Sequence, residues 1–370
     1  MANTIKNIIV LMGGSSSEHE VSLRSAHAVI KALDPAHYRV RPVLITRDGV
    51  WHGAPSFLCP AVALSLLEKN SKESAEGLGT DSDTQTISIR NFVEYSFLPW
   101  SLSAGSVQPD VVFIALHGAY GEDGRVQGLL DSIGVPYTGS GVLASALAMD
   151  KPSAAQVLRG AGLAVPEFFV MTREVAGERP AARSLATAVR KLGVPLVIKP
   201  TDQGSSVGVT IIKKRKEISV ALARALREFP VVMAQKYIPG REVTCGVLED
   251  AKTGTAFALP PTEIIPRTEF FDYQAKYTAG ASQEITPARM PAATIRRIQQ
   301  TALTAHHALG CRGMSRTDII VTDGHLWVLE VNTIPGMTAM SLLPQGAAAA
   351  GISFFALVDI LVNAALRKKA

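Results

Sequence analysis

Apolar runs of strand length restrict the first part of this chain to one kind of architecture. Residues 8–12, Ile-Ile-Val-Leu-Met, are apolar and β-branched and run directly into Gly13-Gly14. From Val21 onward Ala26, Val29, Ile30 and Leu33 recur at helical spacing, so the order is strand, glycine loop, helix. Further apolar runs at 40–45 and 111–116 supply partner strands; the second follows Pro109-Asp110 and ends at His117-Gly118. The expected first domain, residues 1–140, is an α/β domain with a largely parallel sheet. Within it, 68–86 is rich in Ser, Thr, Gly and charge. The stretch 51–106 therefore reads as an insertion, expected to be mobile and of little chemical consequence.

A second α/β block is expected over 141–239, with a helix near 153–160 and strands near 196–199 and 231–235. A third, 240–370, holds a long helix beginning at Pro291, with Ile295, Ile298, Ala302, Ala305 and Leu309 on one face. The 370 residues, 47% hydrophobic and 19% charged, suit a soluble chain of two or three domains. Lys plus Arg exceed Asp plus Glu by 37 to 32, and this excess is too diffuse for a nucleic-acid footprint. In a cleft it still favours anionic ligands. Cys59, Cys245 and Cys311 form no CxxC pair, which argues against a disulfide framework or a zinc site and fits a reducing cytoplasm. The run at 8–12 is too short for a signal peptide or membrane span, so no membrane partner is expected.

Two motifs carry chemistry. The first, Lys199-Pro-Thr-Asp-Gln-Gly-Ser-Ser-Val-Gly208, sets a lysine at a strand end before a loop of small residues. Gly204 and Gly208 permit close backbone approach, and Ser205, Ser206 and neighbouring amides can donate to phosphate oxygens. The lysine precedes the loop, so this is not a Walker A sequence. Read alone, the segment fits a surface hairpin as well.

The second motif is Arg316-Thr317-Asp318, then Leu326-Trp-Val-Leu-Glu-Val-Asn332, two strands about Asp323-Gly324. Glu330 and Asn332 are two residues apart and share a face. A two-residue turn at Asp323-Gly324 would set Asp318 on the opposite face. A three-residue loop 322–324, with Gly324 left-handed at its third position, is expected instead; it sets Asp318 opposite Val328 and on the side of Glu330. Two carboxylates and an amide oxygen suit Mg²⁺, and the absence of His or Cys argues against zinc. A solvated sheet face is the plainer alternative, but Glu330 sits in an apolar run where a buried charge needs a partner.

Taken together with GGSSSEHEVSLRSA, HGAYGEDGRVQGLLDSIGVPYTGSG, ALAMDK and FFDYQAKY, in that order along the chain, these residues resemble the ATP-grasp family and within it the D-alanine:D-alanine ligases. The resemblance implies a three-domain fold, α/β (α+β), in which an N-terminal parallel α/β domain precedes two domains that grip the nucleotide. It implies that ATP phosphorylates the carboxylate of one D-alanine and that the amine of a second displaces phosphate, a step in making peptidoglycan precursors. Such a route turns a poor acyl donor into an acyl phosphate.

By the same resemblance Glu18 would pair with the first substrate's ammonium, with His117 nearby in its pocket. Read alone, Glu18 is an acid favoured at a helix start, and His117 a strand-end histidine satisfied by backbone. Lys151 and Lys199 would hold the α- and β-phosphates and Lys276 the transferring phosphate. Arg316 and the Gly336 amide would line an oxyanion hole, and Ser341 and Leu342 would receive the second carboxylate. Ser205 and Tyr277, linked through Glu18, would position the incoming amine, and residues 270–283 would form a water-excluding lid. The hinge of Lys236, Tyr237 and Ile238, with Glu242 at the ribose, would receive the nucleoside. Asp318, Glu330 and Asn332 would hold Mg²⁺ or Mn²⁺, with activation by K⁺ left open.

Two departures stand out: Gln235 replaces an acidic residue that accepts from the adenine amino group, and Phe271 replaces a tyrosine. A Gln carbonyl can accept the same bond. The family is usually a homodimer through its first domain. D-alanine:D-lactate and D-alanine:D-serine ligation, or another ATP-grasp carboxylate–amine ligase, are the alternative activities. A non-catalytic binding module has no need of Asp318, Glu330 and Asn332 together.

Overall fold

Strand β1 (Lys6–Gly13) is buried along its whole apolar run, Ile8 to Met12 being 0% exposed, because it is a central strand covered on both faces. The structure, a computed structural model, describes residues 5–73, 93–95, 107–173, 191–205, 207–266 and 282–367. Helix α1 (His19–Ala32) packs Ala26, Val29 and Ile30 onto the sheet. The chain continues through β2 (Tyr38–Ile45), β3 (Trp51–Gly53), α2 (Pro60–Glu73), β4 (Val93–Tyr95), β5 (Val111–Ile114) and α3 (Arg125–Ser132). The sheet order is β4-β3-β2-β1-β5. Strands β2 and β5 flank β1 in parallel, while β3 and β4 extend one edge antiparallel. Two pieces of the expected 51–106 insertion are thus part of the main sheet; 74–92 and 96–106 lie outside the described residues.

Next come α4 (Val142–Met149), α5 (Lys151–Gly160), β6 (Phe168–Thr172), β7 (Leu196–Pro200), β8 (Thr210–Ile212), α6 (Ile218–Glu228) and β9 (Val231–Lys236). Strands β6-β9-β7-β8 form an antiparallel sheet whose core faces α6 through Leu196, Ile198, Val232, Leu222 and Leu226. The last part holds β10 (Arg241–Glu249), β11 (Ala256–Ala258), β12 (Thr262–Pro266), β13 (Ser282–Ile285), α7 (Ala292–Ala308), β14 (Met314–Val321), β15 (Leu326–Asn332), α8 (Leu342–Ala349) and α9 (Phe354–Arg367). The third sheet runs β13-β12-β10-β14-β15, with β11 on β10.

The cores cross the sequence boundaries. Ala148, Ala154 and Leu158 of α4 and α5 pack with α7 and with Val243, Ile319 and Val328 of the third sheet. Leu357, Val358, Leu361 and Val362 of α9 join the core of the first domain, and Tyr38 Oη donates to the Asp359 carboxylate. The C-terminal helix therefore fastens the third sheet to the first domain. No single described helix is long and apolar enough to cross a membrane.

The hairpin between β14 and β15 corrects one expectation. Thr322 N donates to His325 O at 3.0 Å and His325 N to Thr322 O at 3.4 Å, enclosing a two-residue turn of Asp323 and Gly324 (φ +87°). The expected three-residue loop is not formed. Pairs Val321–Leu326, Ile320–Trp327 and Ile319–Val328 follow from that turn, and a regular ladder would next place Asp318 opposite Leu329. Instead the register shifts: Asp318 pairs with Glu330, not Val328, and Arg316 with Asn332. Leu329 is the extra residue of a β-bulge, and the bulge, not the loop length, brings Asp318 to the side of Glu330.

Candidate active site

A cleft of about 470 Å³ opens between the second and third sheets. Val197, Val209 and Ile211 line it from one sheet and Ile264, Ile320 and Leu329 from the other, an apolar slot of the kind a planar ring fills. Strand register arranges the third sheet's face in order. Ile264 and Ile320 flank Glu242 at one end, and Thr244 lies opposite Asp318 further along. Gln235, Lys236, Tyr237 and Ile238 border the slot. Gln235 is 3% exposed, and its Nε2 is buried with no hydrogen-bond partner among the described residues. The amides of Lys236 and Tyr237 donate to Glu167 O (2.8 Å) and Pro195 O (3.3 Å), so both are already engaged within the protein.

Lys151 and Lys199 also line the cleft, beyond the apolar slot. Lys199 is the penultimate residue of β7 and is 8% exposed; Lys151 opens α5, where its Nζ donates to Gln203 O at 2.6 Å and lies 3.7 Å from Glu330 Oε2. Asp318 Oδ1 accepts from Thr244 Oγ1 (2.6 Å) and Arg316 Nε (3.0 Å). Its Oδ2 accepts from Arg316 Nη2 (2.9 Å) and Asn332 Nδ2 (3.3 Å). Burial opposes the Arg316 charge, but Asp318, aided by Glu330 and Glu122, outweighs it and raises the guanidinium pKa above its usual range. Asp318, Glu330 and Asn332 present oxygen donors only, and no cluster of three or more His, Cys, Asp or Glu that could hold a metal occurs among the described residues. That open, all-oxygen set suits a hard divalent ion that keeps water and phosphate ligands, not a closed metal cage.

Glu18, 8% exposed at the start of α1, accepts a hydrogen bond from Ser205 Oγ of the small-residue loop. Ser205 has φ +50°, a left-handed backbone rare for a residue with a Cβ. Glu18 is hemmed in by glycine: a Cβ at Gly118 or at Gly204 would come within 2.8 Å of its Oε2. Serines of the GGSSSEHEVSLRSA motif tie this corner together. Ser16 Oγ donates to His117 O at 2.7 Å, and Ser22 Oγ donates to Ala115 O at 2.7 Å.

His117 has both ring nitrogens engaged. Nδ1 donates to Ile334 O at 3.0 Å, since a carbonyl only accepts, so Nε2 of the neutral ring accepts from Ser25 Oγ at 2.9 Å. Burial lowers its pKa despite the nearby Glu18 charge. Glu122 accepts from Gly118 N (2.8 Å) and Ile334 N (3.1 Å); burial and then Glu18 push its carboxyl up to about 8, against the pull of those amides and Arg316. His117, Glu122 and Ser25, which also accepts from Met337 N at 3.2 Å, thus fasten the loop that carries Gly336 to the first domain. Ser341 is the N-cap residue of α8 but makes no side-chain cap bond; its Oγ accepts from Thr338 N at 3.1 Å. The first-turn amides from Leu342 onward are consequently not capped by that hydroxyl.

Ser206, Phe271, Lys276 and Tyr277, and all of the expected lid except Ser282 and Gln283, lie outside the described residues. Of the other sequence-derived residues, Lys151, Lys199, Gln235, Lys236, Tyr237, Ile238, Glu242, Asp318 and Glu330 line the cleft, and Arg316 and Asn332 reach it through their bonds to Asp318; Glu18 and Ser205 meet at the small-residue loop, and His117, Gly336, Ser341 and Leu342 lie on or against the segment 334–342. Sequence reasoning missed Thr244, Glu122 and Leu329. Glu122 stood inside a quoted motif. Thr244 is placed by which strand neighbours β14, and no local signal reports that.

An antiparallel sheet that leads through Lys199 into a small-residue loop, set across a cleft from a sheet bearing Asp318 and Glu330, is the arrangement of the ATP-grasp fold. Family models described as D-ala D-ala ligase N-terminus and D-ala D-ala ligase C-terminus match residues 7–140 and 157–363. The chain is 39% identical to the D-alanine–D-alanine ligase of Leptospira interrogans over 98% of both chains. It is 41% identical to that of Geotalea uraniireducens over 98% of this chain and 96% of the other. Among solved structures, the VanG D-Ala:D-Ser ligase from Enterococcus faecalis superposes with TM-score 0.77 at 35% identity, covering 97% of this chain and 99% of that one. The D-alanine–D-alanine ligase from Bacillus anthracis complexed with ATP gives 0.70 at 32%, covering 98% of each. The chain belongs to the D-alanine–D-alanine ligase family and is an ATP-dependent, ADP-forming ligase.

Proposed function

We propose that this ligase takes D-alanine at both substrate positions and that Glu18 receives the ammonium of the first. The observation that carries the reading is the Glu18 carboxylate, set between Gly118 and Gly204 and accepting from Ser205 Oγ, a charge complement for a substrate ammonium. The apolar slot takes the adenine, with Gln235 Oε1 accepting from its amino group and Glu242 at the ribose. Lys151 and Lys199 reach the phosphates, and Lys276 acts at the transferring group.

Asp318, Glu330 and Asn332 are the residues that would hold Mg²⁺ or Mn²⁺. Bound there, the ion would neutralise charge on the transferring group. Arg316 and the Gly336 amide stabilise the oxygen that becomes negative when the second amine attacks the acyl phosphate, and phosphate departs with the bonding pair. His117 and Glu122 act by holding the Gly336 loop in register, which is a positioning role. The uncapped start of α8, at Ser341 and Leu342, receives the second carboxylate. Ser205 and Tyr277 orient the incoming amine. A cytoplasmic homodimer making peptidoglycan precursors, and so supporting cell wall and cell shape, completes the reading.

The likeness to a D-Ala:D-Ser ligase favours one second reading, in which the acceptor is D-serine. Chromatographic identification of the ATP-dependent product from D-alanine, with equimolar D-serine or D-lactate competing, separates the two. D-alanyl-D-alanine as the main product supports the proposal; a mixed product in excess overturns it.

A further inference from the structure

Each carboxylate of the proposed metal face already holds a cation that belongs to the protein. A carboxylate has about four lone-pair sites, and the four donors from Thr244, Arg316 and Asn332 use all of them on Asp318. Glu330 has Lys151 Nζ 3.7 Å away. These pairs are largely enclosed: the side chains of Arg316 and Asp318 are 14% and 10% exposed, those of Lys151 and Glu330 10% and 24%. Solvent screening is therefore weak and the two pairs hold their charges firmly. Asp318 cannot give a lone pair to a metal without losing one of its donors, and Arg316 contributes two of the four.

We infer that Arg316 and Lys151 are held on Asp318 and Glu330 as place-holders, and are released toward substrate and phosphate when a divalent cation takes the two carboxylates. The charge balances, because one ion of charge 2+ replaces two single positive charges. No covalent bond changes. Arg316 is engaged by Asp318, so the group that stabilises the acyl centre becomes available only when the cation takes that carboxylate. The inference rests on the ligase reading and on Asp318 and Glu330 as the metal carboxylates. It concerns Arg316 and Lys151, whose place before loading that reading leaves unstated.

The opposite role, a permanent brace that shapes Asp318 for the metal, predicts the opposite sign. The test is Mn²⁺ affinity of the full-length protein with ADP, read by electron paramagnetic resonance. Arg316→Gln should bind Mn²⁺ about tenfold more tightly than the wild type, since the ion no longer competes with a guanidinium. Equal or weaker binding overturns the exchange. Because that variant can lose fold, the wild type gives a second readout in ¹⁵N spectra of arginine side chains. The Arg316 Nε–H signal, assigned by its absence in Arg316→Lys, should shift and exchange faster with solvent when Mg²⁺ and ADP are added. A signal that does not move at saturation also overturns the exchange. Mn²⁺ affinity unchanged by Glu330→Gln would instead overturn the metal face itself; affinity lost in Glu330→Gln with no tightening in Arg316→Gln would sink the exchange alone.

Discussion

Val328 and Val331, three residues apart on one strand, both point into the same hydrophobic core, at 0% and 4% exposure. An unbroken strand alternates faces every residue and cannot do this. The bulge at Leu329 resolves the conflict, and by the same step carries Glu330 and Asn332 to the cleft side with Asp318. Leu329 itself lines the apolar slot of the cleft.

Leu329→Ala separates those contributions. The residue count is unchanged, so Asp318 still faces Glu330 and the carboxylates keep their positions. What is lost is apolar wall, and burying a Leu side chain contributes about 1.5–3 kcal/mol. Steady-state kinetics should show KM for ATP raised about tenfold or more with kcat within about threefold of wild type. A collapse of kcat at unchanged KM would mean that the side chain, and not only the extra residue, sets the metal face.

Gly204→Ala tests the Glu18 pocket by steric means alone. The backbone at Gly204 is not left-handed, so a methyl group brings no backbone strain, yet its Cβ would lie 2.8 Å from Glu18 Oε2. The carboxylate must shift from its place beside the loop. KM for D-alanine should rise about tenfold while KM for ATP and the melting temperature change little. Equal loss for both substrates would point to a disordered phosphate loop instead.

Much of the scaffold was legible in the sequence because it follows from burial. The runs at 8–12 and 40–45 are strands β1 and β2, and the face expected on the helix after Pro291 is buried at Ile298, Ala302, Ala305 and Leu309. The site was legible as motifs but not as geometry. The turn was misjudged because a two-residue and a three-residue loop differ by one register step, and only the joint demand of Val328 and Val331 for the core reveals the bulge. The partnership of Thr244 with Asp318, and of α9 with the first domain, depends on strand order and long-range packing, which local spacing does not report.

His117 gives the protein an acid-sensitive point. Its pKa in the folded state lies below the ordinary 6.5, chiefly through burial, so as pH falls the unfolded chain takes up a proton first. The stabilising contribution is complete above 6.5 and is lost as pH falls through and below that value. His117→Asn cannot titrate. It should cost about 1–3 kcal/mol near neutral pH through broken hydrogen bonds. The gap in melting temperature between wild type and variant should narrow from pH 7.5 toward pH 5, as followed by circular dichroism. A constant gap across that range would show that His117 is not held neutral.

Gln235→Leu should move stability and affinity in opposite directions. Gln235 Nε2 is buried without a partner among the described residues, a condition that costs about 1–3 kcal/mol per group. Leucine removes that unsatisfied donor while keeping similar volume in a slot already walled by Val197 and Ile264. The melting temperature without nucleotide should therefore equal or exceed that of the wild type. Loss of the amide also removes the acceptor for the adenine amino group, a neutral hydrogen bond worth about 1 kcal/mol. KM for ATP should rise about fivefold, discrimination against GTP should weaken, and the thermal shift produced by a fixed excess of ADP should shrink accordingly. If KM and base preference stay as they were, the base is read by the hinge backbone at 236–238 alone and the orphaned amide has no part in recognition.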